Sequence, residues 1–207
     1  MQFKHKIELT HEIEIKELND SNRFYILLHG HQLNGTYMFE RFKDLLNGTI
    51  LAPNAPFLYP LKKNESFEAR YTWYFFDPFK KDYYIGMEPA AEYVNSIIQT
   101  YVPKDIPVTV IGYSQGGYLA PKIAELNNSV DTVIGLACTF RSSRYQKREN
   151  VSYYQINSKS DPLIDYANAK EEYFKLHEDK SNFITLENTG HKLNSDYIDE
   201  VLKILGS

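Results

Sequence analysis

A chain of 207 residues, 43% hydrophobic and 24% charged, is long enough to bury the core of one domain. Its formal net charge of -4 excludes a broad basic face for nucleic acid, and no apolar run reaches membrane-spanning length. The one cysteine, Cys138, excludes an internal disulfide; with no apolar segment of signal-peptide length after Met1, the expected location is the cytoplasm. Cys138 itself follows a strand pattern and is expected to be a partly buried small hydrophobe.

Phe3, His5, Ile7 and Leu9, then Ile13 and Ile15, alternate with polar residues, which predicts two half-buried strands joined near Thr10-His11. They form an antiparallel edge to whatever sheet follows. Phe24 to Leu28 is a continuous apolar run of the kind a central parallel strand needs, and it ends in His29-Gly30-His31. A glycine-containing loop leaving such a strand can present backbone N–H groups across the strand ends. His29 and His31 could instead share a metal, but no third histidine or acid cluster stands nearby, and His29 reads better as a hydrogen-bonding brace of the loop.

Asn34 to Leu46 carries Tyr37, Met38, Phe42, Leu45 and Leu46 at helical spacing, and Thr49 to Ala52 is a short buried strand. From Phe57 to Gly86 runs the least regular segment, with eleven aromatic side chains interleaved with charges. Most of them should pack onto the core, while the segment as a whole is the expected wall of an acyl or aromatic pocket. Glu88 to Tyr101 is a helix with Pro89 in its first turn.

Val108 to Tyr113 then gives a buried strand that breaks at glycine and continues as a helix, with Ser114 at the break in Gly112-Tyr113-Ser114-Gln115-Gly116-Gly117. A serine on so sharp a turn brings residues two positions away against each other and against the adjoining strands, which demands glycine at 112 and 116. The turn lifts the hydroxyl to a helix N-terminus, where N–H groups favour developing negative charge. The N–H groups of His31 and Gln115 are the expected oxyanion donors. Pro121, inside the helix, predicts a kink.

Val130 to Ala137 is the next strand, followed by a polar basic loop through Arg141, Arg144, Lys147 and Arg148, and a further strand over 151–157. The loop is too short for an inserted cap domain. Tyr166 to His177 is a helix, Phe183 to Leu186 the last strand and Asp196 to Leu205 the closing helix. Alternating strands and helices put ligands at the carboxyl ends of a mainly parallel sheet, and two candidate groups follow strands there: Asp161, after 151–157, and His191, after 183–186. In this reading Ser114 attacks a carbonyl, His191 moves its proton and Asp161 orients the imidazole. Asp165 is a rival acid and His177 a rival base, although His177, late in a helix among charges, reads more simply as a cation at a helix C-terminus.

With these residues in place, the sequence resembles the phospholipase/carboxylesterase family of α/β-hydrolases, which includes acyl-protein thioesterases and small bacterial carboxylesterases. The likeness rests on Gly112 to Gly117, His29-Gly30, Ala52 to Pro56 and Gly190-His191. It departs at Trp73 to Asp77, at Asp165 and at Cys138-Thr139-Phe140. The resemblance implies one α/β-hydrolase domain over 1–207, with a mainly parallel central sheet, an antiparallel N-terminal edge, helices on both faces and no large cap. It also implies a small-molecule ester or thioester substrate, no cofactor and no metal, with a pocket involving Trp73, Tyr113 and Phe140. An amidase or peptidase on the same fold, and a binding protein that has lost its chemistry, are the alternatives.

Overall fold

The computed structural model describes residues 10–206. The first expected strand, over 3–9, lies outside them. The second is present as β1 (Ile13–Lys16), followed by β2 (Phe24–Leu28), α1 (Gly35–Phe42) and β3 (Thr49–Pro53). Six short strands come next: β4 (Phe57–Leu58), β5 (Leu61–Lys63), β6 (Ser66–Glu68), β7 (Tyr71–Thr72), β8 (Phe75–Asp77) and β9 (Asp82–Ile85). The remainder alternates as α2 (Glu88–Tyr101), β10 (Val108–Tyr113), α3 (Gln115–Leu126), β11 (Val130–Leu136), β12 (Ser152–Ser158), α4 (Tyr166–Phe174), β13 (Phe183–Leu186) and α5 (Ser195–Leu205).

Seven strands form the central sheet in the order β1-β3-β2-β10-β11-β12-β13, with β1 antiparallel to β3 and every other pair parallel. This is the α/β-hydrolase fold, with the expected antiparallel edge and no large inserted cap. Side-chain alternation along each strand builds a core on both faces. Phe24, Ile26, Leu28, Val108 and Val110 join Val94 and Ile98 of α2 and Leu119 and Ile123 of α3. On the other face, Tyr25, Leu27, Ile111 and Tyr113 meet Met38 and Phe42 of α1 and Tyr197 and Val201 of α5.

The excursion over 57–86 is more regular than its sequence indicates. It folds into three two-stranded ladders, β4 with β7, β5 with β6, and β8 with β9. Two helices are shorter than their patterns. α1 stops at Phe42 and continues as turns to Leu46, while α4 stops at Phe174, after which the N–H groups of Leu176 and His177 both turn back to Tyr173 O. Helix α3 runs on through Pro121 to Leu126.

Candidate active site

The link from β10 to α3 has the crowding its sequence demands. Ser114 has φ 50° and ψ -115°, a left-handed backbone that costs roughly 1–3 kcal/mol outside glycine and survives where the surroundings enforce it. A Cβ on Gly112 would lie 2.4 Å from Gly116 O, and one on Gly116 would lie 2.5 Å from Leu28 O. The turn is closed by Ser114 N–H donating to Leu136 O at 2.8 Å and by Tyr118 N–H donating to Ser114 O at 3.1 Å. The serine side chain is thereby aimed off the carboxyl edge of the sheet.

His191 reaches that edge on a tightly bonded loop. Gly190 adopts φ 72°, a conformation glycine accepts without a Cβ penalty, and its N–H donates to Ser158 Oγ and Ser160 Oγ, both at 3.1 Å. Tyr197 Oη donates to Gly190 O at 2.8 Å, and Tyr113 Oη to His191 O at 3.1 Å. Burial pushes the Tyr113 phenol up to about 12, so it remains a neutral donor.

Asp161 turns under the imidazole. Its Oδ1 accepts the N–H groups of Leu163 at 2.8 Å and Ile164 at 3.0 Å, and its Oδ2 lies 2.8 Å from His191 Nδ1. The Asp161 side chain is 1% exposed, against 17% for His191. A carboxylate accepts only, so Nδ1 carries the proton and Nε2, 3.1 Å from Ser114 Oγ, is left to accept from the hydroxyl. The three expected residues therefore stand in one continuous hydrogen-bonded row. An imidazole held this way can take a proton from the serine and return it to a departing group.

The rivals are occupied elsewhere. Asp165 caps α4, accepting Asn168 N–H at 3.0 Å. His177 corrects the sequence reading: it is not a cation at a helix C-terminus but a buried ring against Tyr153 and Tyr173, its Nε2 accepting from Tyr145 Oη at 2.8 Å. Burial lowers it to about 4, so it is neutral.

The N–H groups of His31 and Gln115, the expected donors, have no hydrogen-bond acceptor among the described residues. The His31 loop is fixed from several sides. His29 is fully buried; its Nδ1–H donates to Gly30 O at 2.7 Å, and Nε2 accepts Ala55 N–H at 3.0 Å. Both ring nitrogens are thus used, which makes His29 the brace the sequence indicated. Burial holds it down at about 4. Gln32 N–H donates to Tyr71 O, Tyr71 N–H to Leu33 O, and Trp73 Nε1–H to His29 O at 2.8 Å.

Two pocket residues need correction. Trp73 and Phe140 are fully buried and present no surface to a substrate. Trp73 holds the His29 carbonyl, and Phe140 is locked in the core with its N–H on Gln155 Oε1 at 2.9 Å. Tyr113 is 6% exposed and has its ring beside His191, with centroids 5.6 Å apart. Cys138 is entirely rather than partly buried.

Sequence reasoning missed the side chain of Gln115 as a structural clamp. Its Oε1 accepts Trp73 N–H at 3.0 Å, and its Nε2 donates to Tyr74 O at 2.8 Å and Thr72 Oγ1 at 2.9 Å. Thr72 Oγ1 in turn donates to Tyr74 O and accepts from His31 Nδ1 at 3.1 Å. A glutamine set between a buried strand and two glycines is the signal that could have revealed this, because such a side chain has no route to solvent and must find partners inside.

A family description, Phospholipase/Carboxylesterase, matches residues 10–206. Among solved structures, Zea mays acyl-protein thioesterase 2 superposes with a TM-score of 0.72 at 20% identity, covering 95% of this chain and 98% of that one. Esterase PE8 gives 0.72 at 16% identity over 96% and 99% of the two chains. The Bacillus cereus carboxylesterase gives 0.67 at 15% identity over 95% and 93%. At these identities the likenesses speak to the fold, and comparison with curated proteins returned no match. The match along 10–206 shows that the chain belongs to the phospholipase/carboxylesterase family of α/β-hydrolases.

Proposed function

We propose that the protein is a serine hydrolase that cleaves carboxylic esters or thioesters through an acyl-enzyme intermediate. Ser114 attacks the carbonyl carbon as His191 Nε2 takes its proton. The tetrahedral intermediate collapses as the imidazolium protonates the leaving alcohol or thiol, and water deacylates the serine by the same route. Asp161 keeps the proton on Nδ1 and balances the imidazolium charge. The N–H groups of His31 and Gln115 receive the oxyanion.

The single observation that carries this reading is the row from Asp161 Oδ2 through His191 to Ser114 Oγ, with separations of 2.8 Å and 3.1 Å. Support also comes from the N–H groups of His31 and Gln115, neither of which has an acceptor among the described residues, and from family membership. The lone, buried Cys138 favours a reducing compartment, and we place the enzyme in the cytoplasm.

The test is hydrolysis of a p-nitrophenyl ester series by the protein and by Ser114→Ala, each with and without chelator. Turnover that is indifferent to chelator and falls by roughly 10⁴-fold or more in the variant is expected. Equal rates in the two proteins would refute the serine mechanism. Inactivity of both on esters, thioesters and amides alike would leave a binding protein on this fold as the better reading.

A further inference from the structure

The loop after β11 leaves the sheet beside Ser114, because Leu136 lies opposite Tyr113 in the β10–β11 ladder. Its backbone is held firmly. Phe140 N–H is on Gln155, Ser142 N–H and Oγ–H both donate to Glu172 Oε2 at 2.9 Å, and Arg144 N–H donates to Arg141 O at 2.9 Å.

Two guanidinium groups rise from this fixed loop onto aromatic faces. Arg141 Cζ is 5.7 Å from the ring centroids of both Phe76 and Tyr118, and Arg144 Cζ is 4.9 Å from that of Tyr83. The rings of Phe76 and Tyr83 are themselves in contact, with centroids 5.0 Å apart. Tyr118 stands one helical turn beyond Ser114, and a helical side chain leans over the turn before its own Cα, in this case toward the serine. Its hydroxyl donates to Thr139 Oγ1 at 3.3 Å, two residues before Arg141.

These two arginines differ from the other four in forming neither an ion pair nor a hydrogen bond to a backbone carbonyl among the described residues. Arg23 pairs with Asp131 at 2.8 Å and Arg70 with Glu68 at 2.8 Å. Arg148 donates to the carbonyls of Ala124 and Asn127, and Arg41 to that of Tyr37. Neither Arg141 nor Arg144 forms an ion pair with a carboxylate among the described residues, and Glu172, which meets the same loop, is engaged by Ser142 and Lys175. A guanidinium is weakly hydrated and presents a planar fork of donors to a carboxylate or phosphate.

We infer that Arg141 and Arg144 form an anion-recognition subsite for the Ser114 centre, and that the substrate is an ester or thioester carrying an acidic group on its acyl or alcohol part. This deepens the hydrolase reading and rests on it. The subsite accounts for two guanidinium groups on the loop that leaves the sheet next to the Ser114 turn, neither paired with a carboxylate among the described residues.

Two substrate pairs test the inference, each differing only in charge. Mono-p-nitrophenyl suberate against its methyl ester puts the charge on the acyl side; 4-(carboxymethyl)phenyl acetate against its methyl ester puts it on the leaving group. The ratio of kcat/KM for the charged over the neutral member is expected to be about ten or more in one of the pairs, and to fall by about tenfold in the Arg141→Gln, Arg144→Gln double variant. Lys203→Gln, on α5, should keep the wild-type ratio, and raised salt should lower it. Which pair responds identifies the acidic half of the substrate. Hydrolysis of the neutral esters with no charge preference in either pair, or a preference untouched by the double variant, overturns the subsite and leaves the hydrolase reading standing. Failure of the wild type to hydrolyse any of the four esters removes the hydrolase reading, and the subsite with it.

Discussion

The Ser114 turn and the excursion over 57–86 meet at the same edge of the sheet but are held by opposite means. Around the serine the chain is fixed at short range from several sides: glycine crowding at 112 and 116, Asp161 on two backbone N–H groups, His191 tied through Gly190 to two serine hydroxyls. The excursion is hydrogen-bonded to the rest of the site over Tyr71 to Tyr74, where backbone bonds of Tyr71, the Gln115 side chain and Trp73 join it to the elbow and to the His29 loop. Beyond that anchor it exposes large apolar groups, with Phe67 at 70% and Phe79 at 96%. The tightest fixing surrounds the Asp161–His191–Ser114 row, where the proposed mechanism moves a proton, and Trp73 with its neighbours braces the adjoining His29 loop.

That contrast can be broken most severely from the acid. Asp161→Asn keeps the shape but can donate to Nδ1, which favours the wrong imidazole tautomer; kcat/KM for a p-nitrophenyl ester should fall about 10³- to 10⁴-fold with little change in thermal midpoint. An equally active Asn variant would mean that Asp161 only shapes the loop. Next in size is Gln115→Leu, which leaves the buried Trp73 N–H without an acceptor and takes from Tyr74 O one of its two donors. Denaturant unfolding should register a loss of about 2–4 kcal/mol, and hydrogen exchange should quicken at 71–74 before it does in β10. Unchanged protection there would show that the anchor is packing by Trp73 alone.

Acid should loosen the same frame through His29. Burial holds this imidazole at about 4 against an ordinary 6.5, so between those values the unfolded chain binds a proton that the folded chain refuses. Stability therefore falls as pH drops from 6.5 toward 4. Urea unfolding at pH 7 and pH 5 should differ by about 2 kcal/mol on account of this ring, a difference that shrinks in His29→Gln. The smallest effect is expected at the free end of the excursion, where Phe79→Ser should alter stability by no more than about 0.5 kcal/mol. A large loss from Phe79→Ser would show that the exposed hairpins are coupled to the core after all.

Legibility in the sequence follows the same division. The elbow, the parallel strands and the order of Ser114, Asp161 and His191 are written in local patterns: a β-branched run, glycines two residues either side of a serine, an acid and a histidine just past strands. The excursion hides its order because its ladders are two to four residues long and β4 finds β7 only across the intervening β5–β6 hairpin. No hydrophobic period extends over so few residues. His177 was misread because its sequence neighbours are charged, whereas its surroundings are set by Tyr145 and Tyr153 from distant segments. Trp73 and Phe140 enter the expected pocket only through the family resemblance, and the fold reveals that both face inward.

The most direct test of the central claim is to treat the protein with a fluorophosphonate and locate the adduct by mass spectrometry. The expected result is one equivalent on Ser114, formed in the wild type and largely lost in His191→Ala, where no base remains to activate the hydroxyl. An adduct on another residue, or ester turnover that persists while Ser114 remains unmodified, would contradict the assignment of Ser114 as the attacking group.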